Sequence, residues 1–528
     1  MTEPASNVVT LHPPIEIRTD APLYEQGDQG ILALAREPTL FQQAGHIVRV
    51  VRVDPTEATP AKPDGTPDVR RVETETAREL LSKHATFVAY DKRIEKERLV
   101  HPPRDVAAAI VRRAEYPGIR PLDGVSEAPF LRADGTLVHR PGYDPATRVL
   151  FLPDRDWPRV RDEPQQEHAV KALRALADLF KQFPFVRPAD LYVPIAAILT
   201  LFARAAIRGA VPAFAFDSSI AGSGKSLLAN CIGAIFTGRM SEPSTYPADD
   251  VELEKNLGAE ALAGSVIVDF DNVEGLVEGG PLLKVLTAKD KVRLRVLGLT
   301  QKVSARWRAV VLLGGNNMAI GRQMSRRTLI ARIEPREERP EERQGFEIPD
   351  LPQYCLRNRT LLGVAALTVL RGYFCAGQPS MNVRPMGSFE EWGALVPPAI
   401  VWAGGADVTV CRPGAGASSE DAETRFLRVL LVHLGRLTGV EGLSTGGILR
   451  AIYPEGRRPT PGGPPDGLEE VRDALEEVLQ TRGGLTPSPH ALGLKLHSLS
   501  GRWIAGKRIK NRAVAGSGHG AKWVVETA

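Results

Sequence analysis

Apolar positions along this chain change their spacing twice. Between residues 30 and 164, short strand-like runs (HIVRVVRV, TFVAY, RVLFLP) alternate with helical ones (TARELLSKH, PRDVAAAIVRRAE), the mixture expected of an α+β domain. The segment Asp54 to Pro67, DPTEATPAKPDGTP, stands between two strand-like runs and is expected to form an extended hairpin loop. From residue 165 to 410 the pattern becomes longer helices followed by apolar strands, as in an α/β nucleotide-binding core. Its most apolar stretch, Leu191 to Ala203, contains a proline, falls short of the ~20 residues needed to span a bilayer, and is expected to be a buried helix. A small-residue linker, CRPGAGASSED at 411–421, precedes a last region at 422–528, and residues 1–29 are expected to be flexible.

Composition narrows the class. With 528 residues the chain can bury several cores, and 25% charged against 43% hydrophobic residues is ordinary for a soluble multidomain protein. The formal charge is only +4, so nucleic-acid affinity must come from local basic surface. Cys231, Cys355, Cys375 and Cys411 are too dispersed for a zinc finger or a disulfide framework. The start, MTEPASNVVTLHPP, lacks the basic and apolar parts of a secretion signal, so a cytoplasmic protein without membrane contact is expected.

The central chemistry lies in VPAFAFDSSIAGSGKSLLANCIGAIF: an apolar strand to about Phe216, a small-residue loop, then a helix. This order suits a phosphate-binding loop spanning Ala221, Gly222, Ser223, Gly224, Lys225, Ser226 and Leu227. Backbone N–H groups at a helix start surround phosphate oxygens, Lys225 reaches the β- and γ-phosphates, and Ser226 ligates Mg²⁺. Ser219 stands where G-x-x-x-x-G-K-[ST] has its first glycine. A second strand ends in SVIVDFDNVEG, where Asp269 and Asp271 project on the same side, and one of them should hold Mg²⁺ through water. A third, AVVLLGG, delivers Asn316 and Asn317, whose amides could orient the attacking water on ATP. Arg326 and Arg327 follow, a guanidinium pair for the transferring phosphoryl group, acting in cis or from a neighbour.

The C-terminal region makes a separate argument for DNA. LEEVRDALEEVLQ and PSPHALGLKLHSLSGRW are helical, and KRIKNRAVAGSGHGAKWVVE reads as two strands around a glycine-rich turn, together a winged-helix pattern. Lys495, Arg502, Lys507, Arg508, Lys510, Arg512 and Lys522 bring seven basic side chains and no acid between residues 495 and 522. Of these, Lys507, Arg508, Lys510 and Arg512 are the phosphate-contact candidates.

The order of phosphate loop, DFDNVEG, hairpin-like segment, GGNN and RR resembles AAA+ replication helicases of phages, plasmids and integrative elements, including the helicase half of primase-helicase proteins, with a layout close to helicase superfamily III. The resemblance covers about Gln165 to Gly405 well and residues 30–160 more loosely. It implies an AAA+ P-loop NTPase core with a helical lid, between an N-terminal α+β domain and a C-terminal winged helix. It further implies ATP and Mg²⁺ as cofactors and a homo-oligomeric, hexameric ring with single-stranded DNA in its channel. Lys225 and Ser226 would be the Walker A pair, Asp271 the Walker B acid, Asn316 the sensor-1 amide, and Arg327, with Arg326 as alternate, the finger supplied in trans. PLLKVLTAKDKVRLRVLGLTQKVSARWR would hold a channel hairpin turning at Gly298, with Lys302, Arg293 and Arg295 touching DNA. Asn272 occupies the usual place of a second acid, so the general base falls to Asp269 or Glu274. The function expected is an ATP-dependent DNA helicase replicating a phage or mobile element. The rivals are an AAA+ loader or regulator, and a DNA-binding protein that uses nucleotide as a switch.

Overall fold

The computed structural model describes residues 13–58, 64–247, 249–273, 276–289, 291–295, 302–335, 339–413, 422–437, 442–453, 468–479, 487–500, 507–512 and 522–527. They form two compact units, residues 1–318 with 326–412, and residues 319–325 with 413–528.

At the start of the first unit, strand Ile15–Arg18 pairs in parallel with Ala85–Asp91, and helix Leu23–Leu34 follows it. The stretch expected to be flexible to residue 29 is therefore corrected over its described part, residues 13–29: Ile17 is wholly buried, and Ile31 and Leu34 join it in a core with Leu81, Phe87 and Ile110, while residues 1–12 lie outside the described residues. Gly27 and Gly30, which give the sequence a loop-like look, are close-approach positions. A Cβ on Gly30 would lie 2.6 Å from Ile110 Cδ1. The segment from Asp54 does separate two antiparallel strands, His46–Arg52 and Pro67–Arg71, although residues 59–63 lie outside the described residues.

The division expected at residue 164 does not hold as a boundary between cores. Ala128, Leu131 and Val160 are buried in the same cluster as Phe214, Leu228 and Leu367, and Trp157 meets Phe202 edge to face at 6.4 Å. The apolar surface of the 128–160 segment is completed by that of the following α/β core, so the two share one buried cluster.

That core is a five-stranded parallel sheet in the spatial order Pro243–Thr245, Ile267–Val273, Val310–Asn316, Ala213–Ser218, Thr328–Ile333. After the residues and roles expected of them from sequence, we call the second to fifth of these the acid, amide, phosphate-loop and arginine strands. The expected apolar helix is present as Tyr192–Ala203, buried at every residue from Val193 onward, with Pro194 in the first turn where it breaks no hydrogen bond. Beside it runs the loop helix Lys225–Thr237, ended by Gly238 in the left-handed conformation. Arg359, fully buried at the start of helix Arg359–Cys375, donates to Phe236 O at 2.8 Å and to Asp154 Oδ1 at 2.5 Å. A cation is favourable at this negative helix end, and it fixes the loop helix from below.

In the second unit, helices Ala422–Leu437, Thr445–Ile452, Leu468–Leu479 and Pro489–Leu499 enclose a core with Ile509 and Trp523. Strands Leu443–Ser444, Lys522–Thr527 and Lys507–Arg512 form an antiparallel sheet in that order. The LEEVRDALEEVLQ helix expected to open this arrangement is thus preceded by two more helices and a strand.

Candidate active site

All five strands run the same way, so their carboxyl ends share one edge of the sheet, and the chemistry collects there. The phosphate-loop strand leaves that edge at Ser218 and turns back through Gly222 and Gly224, at φ of 72° and 90°, into the loop helix. Only glycine takes such angles without strain. Lys225 is 8% exposed, and its ammonium donates to Asn316 Oδ1 at 2.7 Å, Ser223 Oγ at 2.9 Å and Ile220 O at 3.4 Å. Burial lowers its pKa, opposed by Asp271 and Asp217. Ser226 Oγ donates to Asp271 Oδ2 at 2.6 Å. Lys225, Ser226, Asp271 and Asn316 thus converge from three separate segments.

The two asparagines divide their work. Asn316 pairs in register with Ser218 and meets Lys225, whereas Asn317, at φ 50°, ties its own N–H to Ser218 O at 2.9 Å. Ser226 and Asp271 offer a hydroxyl and a carboxylate oxygen side by side at a solvent-reachable edge, the hard-oxygen chemistry that suits Mg²⁺. A cavity of about 430 Å³ opens beside Gly222, Ser223 and Gly224, walled by Phe183, Arg343 and Phe346.

Asp269 is not brought to this cradle. It lies on the same face of the acid strand but two residues earlier, accepts from Ser241 Oγ at 2.7 Å, and lines a separate cavity of about 420 Å³ beside Gly233 and Thr237 in the second half of the loop helix. Burial, with Ser241 opposing and Asp271 adding, pushes its pKa up to about 6. Glu274, the other candidate base, lies outside the described residues.

Arg326 and Arg327 stand at the opposite edge. The arginine strand pairs Thr328 with Ala213 and Ile333 with Ser218, so the pair sits at its amino end, and Arg327 O accepts from Ala213 N at 2.9 Å. Six residues at about 3.3 Å each put it roughly 20 Å from the phosphate loop, beyond the reach of an arginine on the same chain. The arginine at the loop's own edge is Arg332, 3.6 Å from the buried Asp217, whose Oδ1 accepts from Met318 N at 2.9 Å. Neither was marked by the sequence motifs. Their signal is the strand register, which sets Asp217 beside Arg332.

Of the DNA candidates, Arg293 is exposed on a hairpin pairing Lys291–Arg295 with Lys302–Arg306. The Gly298 turn and the side chains of Arg295 and Lys302 lie outside the described residues. The C-terminal cluster divides between the two faces of its strand. Ile509 is buried, so Lys507 shares the inward-facing side of its strand while Arg508, Lys510 and Arg512 face outward. Glu526, just past the counted segment, is opposite Arg508 and pairs with it at 2.7 Å and with Lys510 at 3.1 Å.

No protein-family model matches the chain, and no curated protein matches it. Among solved structures, the apo A form of the NrS-1 C-terminal region is similar over 85% of this chain and 97% of that one, at 14% identity and a TM-score of 0.34. A second structure of that region matches over 55% and 67%, at 16% identity and 0.28. JCV helicase, with a thiazolopyridine-containing acetamide bound, matches over 46% and 68%, at 16% identity and 0.20. At TM-scores this low the likenesses are partial, and function has to be argued from this chain's own residues.

The folded state holds the Asp269 proton more tightly than an unfolded chain does. Its contribution to stability is therefore intact below the ordinary aspartate range and lost as pH rises through about 6. Asp269→Asn is expected to stabilise the fold over the parent at pH 7.5 by at most about 3 kcal/mol, read as a higher thermal midpoint, but not at pH 4. Equal loss at both pH values would contradict the buried-acid account.

Proposed function

We propose that this chain is a Mg²⁺-dependent ATP hydrolase that drives DNA, a helicase or translocase of AAA+ type replicating a phage or mobile element, working as a homo-oligomeric, hexameric ring. The observation that carries this reading is the convergence of Lys225 and Ser226, at the start of one helix, with Asn316 and Asp271 from the ends of two other strands. Lys225 would transfer its hydrogen bonds from Asn316 and Ser223 to phosphate oxygens, releasing the Asn316 amide to orient water in line with the phosphate. Ser226 and Asp271 would hold the magnesium ion, which when bound spreads the negative charge of the phosphates. The cavity beside Phe183 and Arg343 would take the nucleobase and ribose. The distance between the Arg326–Arg327 pair and its own phosphate loop favours a guanidinium supplied by a neighbouring subunit. Among the described residues no helix is long and apolar enough to cross a membrane.

We propose the second unit, with its helices and three-stranded sheet, as a winged helix that makes a duplex or origin contact, with channel contacts from Arg293, Arg295 and Lys302.

Lys225→Ala is expected to abolish ATP turnover, measured as phosphate release, with the fold retained by circular dichroism. A folded variant that keeps most of its turnover refutes the phosphate loop. Stimulation of the parent by single-stranded DNA separates a motor from a nucleotide switch, and unwinding of a forked duplex separates a helicase from a loader.

If the arginines act across an interface, subunits carrying Arg326→Ala and Arg327→Ala should regain part of their activity when mixed with Lys225→Ala subunits, because some mixed interfaces hold both intact halves. Co-assembly without recovery points to a purely structural pair.

For duplex binding, each lost phosphate contact shallows the slope of log K against log salt by about 0.9. With Arg508 and Lys510 held by Glu526 and Lys507 facing inward, replacing all four cluster residues should change the slope by about 1–2 rather than four such steps, with Arg512 the largest single contributor. An unchanged slope would leave this unit without a DNA role.

A further inference from the structure

Asp271 and Ser226 meet across a strand that belongs to neither. In the sheet the amide strand separates the acid strand from the phosphate-loop strand, so the Asp271 carboxylate must pass over it to reach the start of the loop helix. The ladder between acid and amide strands is regular through Phe270 and Leu313 and then shifts, resuming at Val273 and Gly315. Asn272, at φ 50°, takes up the extra residue. Such a bulge re-aims the side chain beside it. At this level the amide strand presents Gly314.

A Cβ built on Gly314 would lie 2.7 Å from Asp271 Oδ1, and the next two nearest atoms are also Asp271's, Cγ at 3.6 Å and Cα at 3.8 Å. The carboxylate is held at this place by two hydrogen bonds that a shift would disturb, Oδ1 accepting from Asn272 N at 2.8 Å and Oδ2 from Ser226 Oγ at 2.6 Å. Gly315 differs in kind: its Cβ would meet Val273 O at 2.5 Å and Met318 Cγ at 2.4 Å, a backbone and packing conflict away from the carboxylate.

We propose that Gly314 is a positioning residue for the magnesium-binding acid, its missing side chain being what lets Asp271 cross the amide strand and share a metal ion with Ser226. This rests on the nucleotide reading given above. Gly314 touches neither nucleotide nor metal and acts only through Asp271.

The test is Mn²⁺ binding in the presence of ADP, followed by electron paramagnetic resonance on the full chain, with ADP binding in EDTA and the thermal midpoint measured alongside. Gly314→Ala is expected to weaken Mn²⁺ about 10–100-fold, the range for residues that orient a ligand, while metal-free ADP binding is unchanged. The Mg²⁺ concentration for half-maximal ATP turnover should rise by a similar factor, with kcat largely recovered at saturating Mg²⁺. Gly315→Ala should instead lower the thermal midpoint. If Gly314→Ala also folds poorly, adding Asp271→Ala should relieve that loss, because the crowded atoms are then gone; a loss that persists overturns the proposal. Parent-like Mn²⁺ affinity in folded Gly314→Ala overturns it while leaving the nucleotide site standing. Absence of ADP-dependent Mn²⁺ binding in the parent itself overturns the nucleotide reading, and the proposal with it.

Discussion

A lysine ammonium taken out of water has to be hydrogen-bonded, and the arrangement around Lys225 follows from that requirement. Two of its acceptors, Ile220 O and Ser223 Oγ, belong to the loop that precedes it, but the shortest bond goes to Asn316 on another strand. That contact exists only while Asn316 stays level with Ser218. A slip of one residue would carry Asn316 to the other face of the sheet together with every apolar residue before it. Burying Val310 and Leu312 against the helices therefore sets the register that satisfies the ammonium. The far end of the loop helix is held as well, because Arg359 fills the carbonyl end at Phe236. The helix is thus held at both termini.

Charge is laid out along the strands in the same orderly way. At the carboxyl edge, Lys225 feels Asp271 and Asp217, and Asp217 in turn has Arg332 beside it. Burial raises the pKa of Asp217, while Arg332, Lys225 and the N–H of Met318 act against that rise. Two positions down the acid strand, burial and the neighbouring Asp271 push the Asp269 carboxyl up to about 6, with the Ser241 hydroxyl acting against that rise. Two aspartates with one residue between them thus stand in different surroundings, Asp271 beside Ser226 at the partly exposed sheet edge and Asp269 buried beside Ser241.

The three strands and the glycine-turned loop before helix Lys225–Thr237 could be read from sequence because each is a local string, an apolar run that ends in small or polar residues. Asn316 and Asn317 could be ranked only with the ladder register in hand. Gly314 carries no signal of its own, since its importance is a distance to a residue 43 positions earlier. Helix Leu23–Leu34 was hidden by Gly27 and Gly30, which a local reading takes as turn residues and the fold uses for helix approach. The basic C-terminal segment looked free of acid because Glu526 reaches it through strand pairing rather than along the chain. Each misreading arises where a residue's partner is set by tertiary register rather than by sequence neighbourhood.

The sheet also separates what a phosphoryl-transfer site would need. Groups suited to bind phosphate and metal stand at its carboxyl edge, and the Arg326–Arg327 pair stands about six strand residues away at the other. In a rigid parallel sheet of this length no side-chain rotation bridges that gap, and a shift large enough to do so would break the register that buries Lys225. A contribution of the Arg326–Arg327 pair to phosphoryl transfer would therefore require a second copy, oriented so that its amino edge faces the first copy's carboxyl edge. That contact is head-to-tail rather than two-fold. Repeated with a constant rotation it closes into a ring or continues as a filament, so the same register that builds the cradle also narrows the kinds of assembly in which the cradle could be completed.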